Sequence, residues 1–374
     1  MNRIKGLDSL RFISIMFVVI HHLITFTPLF LKPAIDLEMA NKISGWFGLY
    51  GIHFFFSGSG FLITYMLQRE QKKFDKISLG KFYIRRILRI WPAYYFVIFI
   101  SLIVFIRIPF FSFPGNSFIE NDHGATLAYF LFIPQFAYLF GTMAPFVFPT
   151  YTIGIEEQFY VIWGLLYRFF QKRIRTIFIA LLIISILANI IHEMVAKGLL
   201  PGQFFALLGK LSFWYQSSKF GCFAIGALLA LEYLNNRPWL EYLKKKSVQI
   251  IIYAVFFSLV IFNIRIPIIF YEQMGLITCL IFLSAKNDES VINYHLSFLE
   301  YLGKISYGIY LFHMYAILIS CKLYAALWGS SVPSYGVFSG VAVFTIILSV
   351  FFGWISYYTI ERFFLRLKNR FARI

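Results

Sequence analysis

The chain has 374 residues, 60% hydrophobic and only 14% charged, with 47 phenylalanines. A soluble domain carries roughly 25% charged residues and still leaves about a quarter of its unfolded surface wet, so this composition excludes a soluble enzyme and a disordered chain. A net charge of +17 would suit nucleic acid on a soluble protein; here the basic residues fall between apolar runs, where they orient a membrane protein, and no nucleic-acid partner is expected.

Ten stretches approach the roughly 20 apolar residues needed to cross a hydrocarbon core of about 30 Å, which predicts an all-α, polytopic membrane bundle of ten transmembrane helices. The first, 9–31, is too long for the core of a cleaved signal peptide and no small-residue cleavage site follows it, so it is expected to persist as a helix. It carries Arg11 and His22. An ionisable group inside a bilayer is costly and is a functional candidate by default. Eleven residues turn a helix through about 1,100°, about 20° beyond whole turns, and rise about 16 Å. Arg11 and His22 therefore share a face, with the cation at the inner rim and the imidazole near mid-membrane. The plainer reading is a snorkelling arginine and a packed histidine. His21 points about 100° away from His22.

The second span, 47–68, opens near His53 and runs through Ser57-Gly58-Ser59-Gly60, small residues that permit close helix packing. The 69–89 loop is rich in basic residues, ending in Lys81, Arg85, Arg86 and Arg89 before Ile90-Trp91-Pro92 opens the third span, 90–108. Arg86 and Arg89, at i and i+3, share a helix face. Guanidinium forks there suit a phosphate-bearing polyanion, or lipid headgroups alone. The stretch 126–148 is apolar but broken by Pro134 and Pro145 and followed by Pro149, so it is read as re-entrant or interfacial.

The fourth span, 151–170, contains adjacent carboxylates, Glu156 and Glu157. They lie about 100° apart on a helix and so have different roles: orienting a histidine, binding an acceptor hydroxyl, or forming a structural ion pair. Spans at 176–196, 219–235, 248–264 and 268–284 follow. The ninth, 305–328, begins with Ser306-Tyr307-Gly308-Ile309-Tyr310-Leu311-Phe312-His313, which places His313 near mid-depth, as a catalytic group or as a satisfied bundle histidine. The tenth, 335–361, leads into a basic tail. Threaded from a cytoplasmic N-terminus, this order puts about 26 of the 34 basic residues inside and both termini in the cytoplasm. Residues 1–374 read as one integral-membrane domain with no soluble domain appended. Cys222, Cys279 and Cys321 match no zinc or redox spacing, and no metal is expected.

Taken together, these segments resemble the acyltransferase 3 family of integral-membrane acyltransferases. Gly6-Leu7-Asp8-Ser9-Leu10-Arg11 followed by His22 resembles the family's Arg-x10-His pattern, and Arg86-x-x-Arg89 before Ile90-Trp91-Pro92 its Arg-x-x-Arg motif. Gly60-Phe61-Leu62-Ile63-Thr64 is similar to the end of its second helix, and Ile155-Glu156-Glu157-Gln158-Phe159-Tyr160 to its acidic motif. The 220–229 and 306–313 runs resemble two later helices. His53 stands where members commonly carry an aspartate.

The resemblance implies transfer of an acyl group, usually acetyl, from cytoplasmic acyl-CoA to a sugar hydroxyl of an envelope polysaccharide such as O-antigen, capsule or exopolysaccharide, in a bacterial inner membrane. On that reading acetyl-CoA is the donor and Arg11, Arg86 and Arg89 bind it. His22 takes the acceptor's proton or forms an acyl-histidine, Glu156 or Glu157 orients His22 or the sugar, and His313 steadies an oxyanion or hydroxyl. The expected partners are acyl-CoA, a glycan or lipid-linked glycan, and membrane lipids. Two other readings compete. One is a polytopic transporter or flippase for a glycan intermediate. The other is a polyprenyl-phosphate-dependent glycosyltransferase, for which Asp36-Leu37-Glu38 would be the acidic pair.

Overall fold

The computed structural model describes residues 6–33, 36–111, 123–139, 146–285 and 290–371. Fourteen α-helices are found among them. In chain order α1 is Leu7–Phe26, α2 Glu38–Phe74, α3 Leu79–Phe99, α4 His123–Phe130, α5 Pro134–Leu139, α6 Thr150–Phe170 and α7 Ile174–Ala196. Then come α8 Gln203–Ser218, α9 Phe220–Leu234, α10 Lys246–Ile261, α11 Phe270–Ala285, α12 Ser297–Trp328, α13 Tyr335–Ser356 and α14 Arg362–Asn369. Two-residue strands Lys32–Pro33 and Ser331–Val332 pair in parallel and clip the α1–α2 connection to the α12–α13 connection.

All ten stretches expected to span fall on these helices. By length and apolarity, seven helical segments can cross a membrane, or up to eight if α8 and α9, bent by 45°, count as one span. α6 and α7 form a single 47-residue segment in that count, about 70 Å of helix against a hydrocarbon core of about 30 Å. α10, with 16 residues, is shorter than a full span.

Local chemistry accounts for the ends of α2 and the start of α13. Ser334 Oγ accepts from the Val337 amide at 3.3 Å and caps α13. α2 ends at Asp75 in the left-handed region, with Lys72 and Lys73 in the last turn, where the helix dipole favours cations. The Glu38 amide donates to Asp36 Oδ1 at 2.7 Å, so the acidic pair of the first loop serves to start α2.

Of the broken 126–148 stretch, residues 140–145, Pro145 included, lie outside the described residues. The remainder contains α4 and α5, with 8 and 6 residues, too short to cross a bilayer. Phe132 bridges them at a φ of 57°. Neighbouring side chains satisfy the loose carbonyls: Tyr94 donates to Tyr129 at 2.6 Å, Tyr95 to Phe130 at 3.0 Å and Gln158 to Phe132 at 2.9 Å. Irregular backbone survives at membrane depth on that condition.

α1 packs against both α2 and α12, α9 lies on α2, and α13 lies on α12. Gly303 of α12 leaves no room for a Cβ against the Asp8 carbonyl of α1, and Gly60 of α2 none against the Phe223 carbonyl of α9. These contacts bring backbone to backbone. The first sets the depth at which α1 and α12 face each other.

Candidate active site

A cavity of about 1010 Å³ lies among α1, α2, α3, α6, α12, α14 and the turn joining α13 to α14. Two stripes of side chains lead along it. On α1, Arg11 and Ile15 line the wall, and the same face continues through buried Val18 to His22. On α12, Gly303, Ser306 and Tyr310 line it, and one more turn reaches buried His313. Steps of three and four residues keep each stripe on one face.

At one end the lining is strongly basic. Nine lysine and arginine side chains face three acidic ones, Asp8, Glu156 and Glu361. Some of the cations are paired: Arg11 with Asp8 at 3.3 Å, and Arg85 with Glu70 at 3.4 Å. Arg85 also donates to the Phe371 carbonyl at 2.9 Å, which holds the end of α14 across this mouth. Arg86 and Arg89 have no carboxylate partner among the described residues. The Arg86 guanidinium lies 5.2 Å from the Tyr160 ring centre and 5.9 Å from that of Phe82, and its buried Nε has no partner.

The adjacent carboxylates part company, as their 100° offset requires. Glu156 lines the cavity and accepts from Ser59 Oγ at 3.0 Å and from the Tyr160 hydroxyl at 3.2 Å. Glu157 turns toward α3, where it accepts from Trp91 Nε1 at 3.0 Å. Its other oxygen is buried without a partner. Neither carboxylate meets His22.

His22 instead meets His313. Its Nδ1 lies 2.8 Å from His313 Nε2, with the ring planes 13° apart. His313 Nδ1 lies 2.6 Å from the Tyr310 carbonyl. A carbonyl can only accept, and a neutral imidazole has one donor and one acceptor nitrogen, which fixes the protons on this network. His313 Nδ1–H donates to Tyr310 O, His313 Nε2 accepts from His22 Nδ1–H, and His22 Nε2 keeps its lone pair. No hydrogen bond to that nitrogen exists among the described residues. Phe26 and Phe148 stand 5.7 and 5.6 Å from the His22 ring, centre to centre. His21 points elsewhere, with its Nδ1 3.4 Å from Ser44 Oγ.

The imidazole pair does not line the cavity itself. Tyr310 and Thr152 stand at that end, their hydroxyls 2.6 Å apart, and Tyr310 also donates to the Pro149 carbonyl at 2.9 Å. The Tyr310 ring is 5.7 Å from that of His313. His53 lies apart, donating to the Leu49 carbonyl at 2.7 Å and stacking on Tyr271, whose ring also carries the Lys219 ammonium at 3.3 Å.

Sequence reasoning missed Ser59, Tyr310 and Glu361. Ser59 sits within a run that reads as packing, and Tyr310 within the quoted 306–313 segment one turn before His313. Glu361 is a buried carboxylate at the edge of the last apolar stretch, held by Ser356 Oγ at 2.9 Å, and the cost of such a charge was a usable signal.

The sequence matches the acyltransferase-domain model of the acyltransferase 3 family over residues 4–357. The chain belongs to the acyltransferase 3 family. The match contains Arg11, His22, Arg86, Arg89, Glu156, Glu157 and His313, while Glu361 and α14 lie beyond it. The peptidoglycan O-acetyltransferase OatA of Listeria monocytogenes is 27% identical over 180 residues, 46% of this chain and 25% of that protein. The O-acetyltransferase OatA of Staphylococcus aureus is 32% identical over 203 residues, 50% of this chain and 30% of its own. The putative peptidoglycan O-acetyltransferase YrhL of Bacillus subtilis is 24% identical over 341 residues, 85% of this chain and 49% of its own. The matched part of the chain thus spans between a quarter and a half of these curated relatives. No solved structure matches it.

Proposed function

We propose that this acyltransferase moves an acetyl group from cytoplasmic acetyl-CoA to a sugar hydroxyl of a cell-envelope glycan, with both chain termini in the cytoplasm of a bacterial cell. The observation that carries the reading is the alignment of unpaired Arg86 and Arg89 at one end of a cavity with an imidazole pair beyond its other end. CoA is a phosphate-rich polyanion, for which guanidinium forks are the fitting donors. Its pantetheine arm runs along the cavity toward Tyr310, whose side chain must swing for the thioester to reach His22. The names of the relatives make peptidoglycan one acceptor to test, beside O-antigen, capsule and exopolysaccharide.

In the reaction, the sugar oxygen attacks the thioester carbonyl carbon while His22 Nε2 takes the hydroxyl proton. His313 accepts from Nδ1–H, holds the ring and stabilises the imidazolium that forms, the role of the third group in a nucleophile–base–orienter set. Collapse of the tetrahedral intermediate breaks the C–S bond, and the thiolate recovers the proton from His22. A covalent acetyl-histidine at Nε2 is the alternative order of the same bonds. Glu156, tethered by Ser59 and Tyr160, orients polar groups of whatever occupies the cavity.

The experiment is to measure ester-linked acetyl on surface glycans in cells carrying the wild-type chain, His22→Ala at matched membrane level, or a deletion. Loss of one acetyl ester in the variant and the deletion identifies the acceptor and supports the assignment. Identical glycans in all three would turn attention to transport of a glycan intermediate.

A further inference from the structure

Beside the large cavity, the basic end carries a second hollow of about 470 Å³. Tyr65 of α2 and Tyr233 of α9 line it, their rings 6.0 Å apart and inclined at 56°. Arg69, Lys72 and Lys73, from the last turns of α2, also line it, and no carboxylate does. Among the described residues none of these three cations is ion-paired. Glu232, next to Tyr233 in sequence, is engaged by Arg175 at 3.1 Å and Arg237 at 3.5 Å. Arg69 Nη1 donates to the Tyr65 hydroxyl at 3.3 Å, and its guanidinium lies 5.5 Å from the ring centre. Tyr65 and Arg69 line the large cavity as well, so the two hollows share a wall. Across that wall Arg86 touches Met66 Sδ at 3.9 Å, three residues and about 4.5 Å of helix rise from Arg69.

Cations without carboxylates beside aromatic faces suit a ligand that is at once a phosphate and a flat ring system. A second cationic group one helical turn away suits a second phosphate on the same molecule. We propose that this hollow binds the adenosine 3′-phosphate of CoA, with adenine against Tyr65 and Tyr233, the 3′-phosphate on Arg69, Lys72 and Lys73, and the pyrophosphate on Arg86 and Arg89. The proposal rests on the acetyl-CoA reading above and adds to it a nucleotide subsite outside the main cavity. Lipid headgroup phosphate is the other source of the same chemistry.

The test is equilibrium binding of CoA, 3′-dephospho-CoA and pantetheine to the full chain in phosphatidylcholine nanodiscs. Wild type is expected to bind CoA at least about tenfold tighter than 3′-dephospho-CoA, the scale of one charged hydrogen bond. The Arg69→Ala/Lys72→Ala/Lys73→Ala variant is expected to bind both with one affinity. Lys72→Gln/Lys73→Gln changes only exposed side chains, so it keeps the fold, and it is expected to narrow the ratio. Retention of the wild-type ratio in these variants overturns the subsite and leaves the acetyl-CoA reading standing. Absence of CoA binding to wild type overturns both. A CoA preference that arises only in discs containing phosphatidylglycerol, and vanishes with the three cations, assigns the hollow to lipid phosphate and overturns the proposal.

Discussion

The two ends of the site are built on opposite principles. The basic end is broad and redundant, with nine cations on several elements facing three acids. The far end is one chain of two imidazoles in which a single nitrogen is left for chemistry. Attraction of a polyanion is a sum over many charges and tolerates the loss of one. Proton transfer depends on one lone pair in one place. Substitutions at the two ends should therefore differ in kind as well as in size.

The sharpest contrast comes from His22→Ala, which in the proposed mechanism removes the only base and should lower kcat by about 10²- to 10⁴-fold with little change in acetyl-CoA affinity. Measured turnover within a few-fold of wild type would remove His22 from the chemistry. Next is His313→Ala, which strands a buried Nδ1–H and should lower kcat about 5- to 150-fold, the equivalent of about 1–3 kcal/mol. His313→Gln offers an acceptor again and should recover part of that loss; a merely structural His313 would show no such recovery at equal membrane level. At the basic end, Arg86→Ala and Arg89→Ala should each raise the KM for acetyl-CoA about tenfold while leaving kcat nearly alone. If kcat falls and KM holds, these arginines belong to the chemistry and the contrast between the ends dissolves. The smallest effect is expected at Glu157→Gln, under about threefold, because an amide oxygen still accepts from Trp91. Equal losses for Glu156→Gln and Glu157→Gln would mean that the two carboxylates share a role despite pointing about 100° apart.

Much of the basic end was legible in the sequence because it depends on local geometry. Arg11 shares a face with His22, and Arg86 with Arg89, by helical arithmetic alone. The same arithmetic separates Glu156 from Glu157. The far end was legible only as parts. His22 and His313 are 291 residues apart in sequence, and nothing in either segment says that one imidazole holds the other; the sequence made a carboxylate the natural partner. Ser59 was hidden for a different reason. Gly60 beside it does pack against α9, as the small-residue run suggests, whereas Ser59 points about 100° away and reaches Glu156, 97 residues on. Two neighbours on one helix can serve packing and the site at once. Span counting was limited by length: α10 and the bent α8–α9 pair are apolar enough to notice and too short or too bent to settle a count.

The imidazole chain ends on a backbone carbonyl, and a carbonyl can neither keep a proton nor pass one on. In the proposed reaction, a proton gathered at His22 Nε2 therefore leaves through the same atom, to the departing sulfur. Hydroxyl and thioester enter neutral, and ester and thiol leave neutral. Turnover then moves no net charge across the bilayer, so the enzyme would run at the same rate in energised and de-energised vesicles, drawing its driving force from the thioester alone.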